Sequence, residues 1–150
     1  MKLLKLYSWI TGTMGDFIKP FSENKALYNQ ARAFWNKLDN SAIVIVLIFI
    51  ALGIALAAYY YTSYNNKTGR HYTPKHWLYW LIATLIITFL ATFTFEYIAV
   101  TPKLDGATWL EVKIAFSNAL YAGGIYLITS FVWCNFGLPT NAYRYLKLRK

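Results

Sequence analysis

Apolar residues in this chain gather into three long stretches set apart by short charged ones. Positions 40–66, 76–95 and 114–143 hold no Asp, Glu, Lys or Arg. Each is as long as the roughly 20 residues that cross about 30 Å of hydrocarbon as a helix, or longer. The pattern therefore predicts three transmembrane helices at about 42–61, 77–100 and 112–136. Ahead of them, Leu27, Ala31, Phe34, Trp35 and Leu38 recur with helical spacing, opposite Asn24, Lys25, Asn29, Arg32 and Asn36. That spacing predicts an amphipathic helix capped by Ser22, with Glu23 in its first turn, lying in the membrane interface. A helix packed on a partner protein would use the same periodicity. Asn40 or Ser41 is expected to cap the first span, separating it from this helix.

The fold class that follows is an all-α integral membrane protein, with three transmembrane helices preceded by an N-terminal amphipathic interfacial helix. Residues 1–40 form the N-terminal segment, 41–137 the three-span domain and 138–150 a basic tail. At the start, Leu3, Leu6, Trp9 and Ile10 can share an apolar face with Lys2 and Lys5 turned toward phosphate. Lys5 interrupts what would be the core of a signal peptide, so the segment is expected to be retained. Gly12 and Gly15 weaken a helix there, and Pro20 predicts a break near Lys19.

Polar and small residues inside the spans are not scattered. Thr84, Thr88, Thr92 and Glu96 recur every four residues in the second span and make one ridge. Lipid cannot hydrogen-bond that ridge, so it is expected to pack against helices or to line a water-filled path. Glu96 lies about 6 Å from the helix end near Val100. A mouth carboxylate open to water is the first expectation for it, ahead of an interhelical hydrogen-bond partner for a threonine or Asn118 and of a proton- or cation-binding group. In the first span Ala51 and Ala55 form one small-residue strip, Gly53 and Ala57 another. In the third, Ala115, Ala119 and Gly123 repeat the spacing, which lets backbones approach closely. Ile128 is expected to face lipid. Trp35, Tyr59, Tyr60, Tyr61, Trp77, Trp80, Trp109 and Trp133 stand near predicted helix ends and are expected to anchor the chain at headgroup level. The connections carry turn formers, Asn65, Asn66, Gly69 and Pro74 in the first and Pro102, Asp105 and Gly106 in the second. Gly137 and Pro139 are expected to end the third span.

Composition strengthens the membrane reading: 57% of residues are hydrophobic and only 14% charged, too apolar for an ordinary soluble domain. The net charge of +9 is spread over tails and loops, with no basic face interleaved with exposed aromatics, so nucleic acid is not expected as a partner. Near the spans, Lys67, Arg70, Lys75, Arg144, Lys147, Arg149 and Lys150 fall on one side, against Arg32, Lys37, Lys103 and Lys113 on the other. The positive-inside rule then places the C-terminus and first connection in the cytoplasm, across an inner membrane, with anionic lipid a candidate partner of the basic tail.

Catalytic chemistry finds little footing. No two of the six carboxylates form an i, i+3 or i, i+4 pair on a predicted helix, and the two histidines, His71 and His76, both belong to the first connection. Cys134 is the single cysteine, expected to be a small buried residue. No phosphate-cradling glycine motif, zinc-ligand cluster or HExxH sequence occurs, so neither cofactor nor metal is expected. The expectation is a non-enzymatic membrane subunit, structural or accessory, that packs with copies of itself or with other membrane chains. The three-span layout with a charged C-terminal tail resembles small pore formers such as phage holins. That resemblance, which rests on layout and not on a motif, implies an oligomeric pore-forming or membrane-perturbing protein, in which the ridge of Thr84, Thr88, Thr92 and Glu96 is the expected lining of the path.

Overall fold

A computed structural model describes residues 3–65, 74–100, 104–136, 138, 140 and 144–148. The described residues are helical or irregular, with no strand among them. A 3-10 turn (Leu3–Tyr7) leads into two short helices, α1 (Ser8–Thr11) and α2 (Met14–Ile18), then a second 3-10 turn (Lys19–Phe21). Three long helices follow: α3 (Lys25–Tyr59), α4 (Pro74–Ala99) and α5 (Thr108–Asn135), each long and apolar enough to cross a membrane. The residues Lys2, Asn66, Lys67, Gly69, Arg70, His71, Pro102, Lys103, Gly137, Pro139, Arg149 and Lys150 lie outside the described residues.

Local chemistry explains most of the boundaries. Gly12 ends α1 with φ +73°, a conformation that side chains with a Cβ resist. Thr13 and Asp16 close a reciprocal capping box over α2, and the α-helix stops at Ile18 as Pro20 enters a 3-10 turn. Ser22 is not the cap of α3. Its hydroxyl donates to the Lys19 carbonyl, while the Asn24 side chain accepts from the backbone N–H of Ala26 at 2.9 Å. Pro74 opens α4, where its missing N–H costs nothing. Before α5 the Ala107 N–H donates to the Leu104 carbonyl, and Gly106 takes φ +83° within that turn.

The expected break at Asn40 or Ser41 does not occur: α3 runs unbroken from the amphipathic segment through the first span. Ala31, Phe34, Trp35, Leu38, Ala42, Ile45 and Phe49 are all buried and continue one stripe through the junction. Ser41 does not cap; its hydroxyl donates back to the Lys37 carbonyl at 3.0 Å and leaves the helix intact. At about 1.5 Å per residue α3 is about 52 Å long, well beyond the hydrocarbon thickness. Its charged N-terminal part is therefore an extension of the span.

Packing divides the chain into two compact units, Met1–Ile48 with Phe89–Asn118, and Phe49–Thr88 with Ala119–Lys150. In the first, Phe17 stacks against Phe34 at 6.0 Å between centroids and meets the Trp35 ring tilted at 5.5 Å. The apolar face of the amphipathic segment is thus covered by its own chain, apart from Leu27, which is exposed. In the second, the core gathers Ala57, Tyr60, Tyr61, Trp77, Tyr126 and Cys134. The last turn of the first span is a π-helix (Tyr60–Tyr64), whose wider turn brings the consecutive Tyr60 and Tyr61 both inside.

Candidate functional site

The polar ridge of α4 points inward along its whole length: Thr84, Thr88, Thr92 and Glu96 are each 0% exposed. Thr84 donates to the Trp80 carbonyl of its own helix at 2.8 Å, a bond that needs no neighbour. The Thr88 hydroxyl has no hydrogen-bond partner among the described residues. Glu96 is buried, which corrects the expectation of a mouth carboxylate open to water.

Around Thr92 the first unit builds a junction from four pieces of chain. The Asn118 side-chain amide of α5 donates to Thr92 Oγ1 of α4 at 2.9 Å and to the Ile45 carbonyl of α3 at 2.8 Å. Its Oδ1 accepts from the Tyr7 hydroxyl at 2.6 Å. Tyr7 is fully buried and Thr11, one turn on, donates to the Tyr7 carbonyl at 3.0 Å. Leu6 and Trp9 face outward on the same segment, so its apolar face is open and its hydrogen-bonding side serves the protein. Glu111, in the first turn of α5, is a second buried carboxylate of this unit. Sequence reasoning passed over Tyr7 and Glu111. Tyr7 stands out only by interrupting the apolar face of its segment, and Glu111 reads as a helix-dipole residue at a span mouth.

The second unit holds a different kind of centre, mostly aromatic. Tyr61 stacks on Trp133, with ring planes 7° apart, and its hydroxyl meets the Cys134 sulfur at 3.4 Å. Trp77 Nε1 donates to Ser130 at 3.2 Å, and the Tyr126 hydroxyl donates to the Trp77 carbonyl at 3.3 Å. Cys134 is buried, as expected of a small core residue. The tail folds over this cluster: Tyr145 stacks on Trp77 at 5.4 Å, and Asn135 exchanges bonds with Leu146 and Leu148.

The small-residue strips take up distinct places. A Cβ on Gly53 would stand 2.8 Å from Ile125 and 2.9 Å from the Ala122 carbonyl, so this strip packs α3 on α5 within the second unit. Ala57 joins the aromatic core. Ala115, Ala119 and Gly123 are buried, and Gly123 meets the end of Leu85 on α4. Ala51 and Ala55 are exposed instead. Of the expected headgroup anchors, Tyr59 and Trp109 are exposed, Trp80 and Trp133 half-buried. Trp35, Tyr60, Tyr61 and Trp77 are buried, because their rings fill the cores of the two units. Ile128 is 62% exposed.

These hydrogen bonds and ring contacts bind helices to one another. Comparison with known protein families, with curated proteins and with solved structures found no match.

Proposed function

We propose that this chain is a non-enzymatic integral membrane subunit, a structural or accessory component of an oligomeric or multi-subunit cell-envelope complex. Two kinds of surface support the reading. Polar groups within the spans turn inward, while Ile43, Leu47, Ile54, Ile82, Ile86, Leu90 and Ile128 present an apolar exterior suited to lipid. The observation that carries assembly is the exposed strip of α3. Ala51 and Ala55 lie one turn apart on its outer face, between Leu47 and Tyr59, where a second helix can come within close van der Waals range. The companion strip, Gly53 and Ala57, is already used inside the chain.

The pore reading draws no such support, since Thr84, Thr88, Thr92 and Glu96 are enclosed by their own chain and line no outward face. The proposed orientation puts the C-terminus in the cytoplasm of an inner membrane, where exposed Lys147 can meet anionic headgroups. The test is native mass after mild detergent extraction. A mass of at least two chains of 17.3 kDa, or co-purifying chains, is the expected result, and Ala55→Phe should dissociate it. A monomer at working concentration, unchanged by Ala55→Phe, overturns the proposal.

A further inference from the structure

Beside the polar junction, the first unit has an open cleft of about 430 Å³ between its N-terminal segment and the start of α5. Its volume lies within the roughly 300–1,000 Å³ of small-molecule sites. Thr11, Phe17 and Phe21 of the N-terminal segment line one wall, and Trp109 of α5 lines the other. Two side chains of opposite charge also line the cleft, Asp16 and Lys113.

The state of those two charges decides what the cleft suits. Bonds from the Thr13 hydroxyl and backbone N–H, with a smaller contribution from Lys19, hold the Asp16 carboxyl below its ordinary value, so it is ionised at neutral pH. Thr13 engages only Oδ2 of Asp16, which leaves Oδ1 for a ligand. Across the cleft, Gly106, Trp109, Leu110 and Lys113 belong to the first turns of α5 and the residues before it, and Lys113 is the cationic group of that wall. Trp109 is 64% exposed at this helix end, the position of an aromatic residue at headgroup level. One wall thus suits a phosphate and the other a primary ammonium.

We propose that this cleft seats the headgroup of phosphatidylethanolamine, its phosphate on Lys113 and its ammonium on Asp16, with the acyl chains leaving past Trp109. The proposal rests on the membrane reading of the chain and adds a lipid preference to it. An ethanolamine ammonium can donate to a carboxylate; a choline headgroup has no N–H to donate, and a glycerol headgroup brings no positive charge to Asp16.

The experiment is native mass spectrometry of the full chain from detergent, given an equimolar mixture of phosphatidylethanolamine, phosphatidylcholine and phosphatidylglycerol. Wild type should retain phosphatidylethanolamine roughly tenfold above either competitor, the equivalent of one charge-assisted contact. Lys113→Gln should abolish that preference, and Asp16→Asn, which keeps an acceptor for the α2 cap, should turn it toward phosphatidylglycerol. Lys75→Gln, at an exposed residue that does not line the cleft, should change nothing. Equal retention of the three lipids by wild type, or a preference that survives Lys113→Gln, overturns the site. Either result with a protein that still needs detergent counts against the cleft alone, whereas a chain that stays soluble without detergent overturns the membrane reading beneath it.

Discussion

A buried asparagine amide has four hydrogen-bonding positions to fill and no water at hand in hydrocarbon to fill them. Asn118 fills both donors and one acceptor position, and each partner comes from a different piece of the chain. Replacing it with Leu removes the bonds to the Tyr7 hydroxyl and to Thr92 together with the second bond to the Ile45 carbonyl, which keeps its own helical partner within α3. An orphaned buried group costs roughly 1–3 kcal/mol in water-soluble proteins and interhelical bonds in membranes average about 0.6, so Asn118→Leu should lose about 2 kcal/mol. Tyr7→Phe, which removes a single O–H, should lose about 1 kcal/mol. Reversible unfolding in mixed detergent micelles measures both, and equal losses would mean the junction does not act as one centre. Asp16 makes a pH-dependent contribution at the other end of the segment. Its folded value is lowered below 3.8 by the Thr13 bonds, so the α2 cap is fully formed above that value and is lost as pH falls through the lowered one. The Thr13 amide resonance, followed by NMR through that acid range, should shift with the carboxyl, and a shift centred above 3.8 would contradict the capping box.

At the scale of elements, three glycines in similar sequence settings differ in what surrounds them. A Cβ on Gly53 would meet the backbone carbonyl of Ala122 at 2.9 Å, and backbone cannot step aside. On Gly123 it would meet Leu85 Cδ2 at 2.8 Å, the movable end of a side chain, and on Gly124 nothing within 4 Å. Substitution by Ala should therefore cost about 1–3 kcal/mol at Gly53, less at Gly123, and raise stability by up to about 1 kcal/mol at Gly124 through helix propensity. Thermal melting of the three variants in one detergent tests the order. Gly53→Ala as mild as Gly124→Ala would mean that α3 and α5 are not in close contact. The sequence showed the strips of small residues clearly, since a spacing of four is visible in any helix. Which strip turns inward was not legible, because Gly53/Ala57 and Ala51/Ala55 have the same spacing on adjacent faces and nothing local distinguishes them.

For the whole molecule the proposed orientation has a direct test. Cys134 is buried, so the wild-type chain offers a low background for thiol labelling. Cysteines placed at the exposed positions Ser63 and Asp105 report opposite ends of the spans. In intact cells Asp105→Cys should react with an impermeant reagent and Ser63→Cys only after lysis, as the excess of bases beside the first connection implies. The reverse pattern would invert the orientation and leave the fold untouched.

Length and polarity along the chain were sufficient for three helices able to cross a membrane, because hydrocarbon demands about 20 uncharged helical residues whatever surrounds them. Proline marked the interruption near Lys19 and Gly12 the end of α1, since their backbone limits are intrinsic, whereas Gly15 lies inside α2 under the Thr13–Asp16 capping box. The join at Asn40 and Ser41 was decided by packing: a stripe from Ala31 to Phe49 continues through residues that could have capped a helix. Burial of Tyr60, Tyr61 and Trp77 was decided in the same way, since an aromatic ring near a helix end suits the headgroups or a core equally well until its neighbours are in place. Tyr7 and Asn118 are 111 positions apart, and their bond exists only because the folded first unit brings a buried hydroxyl and a buried amide together.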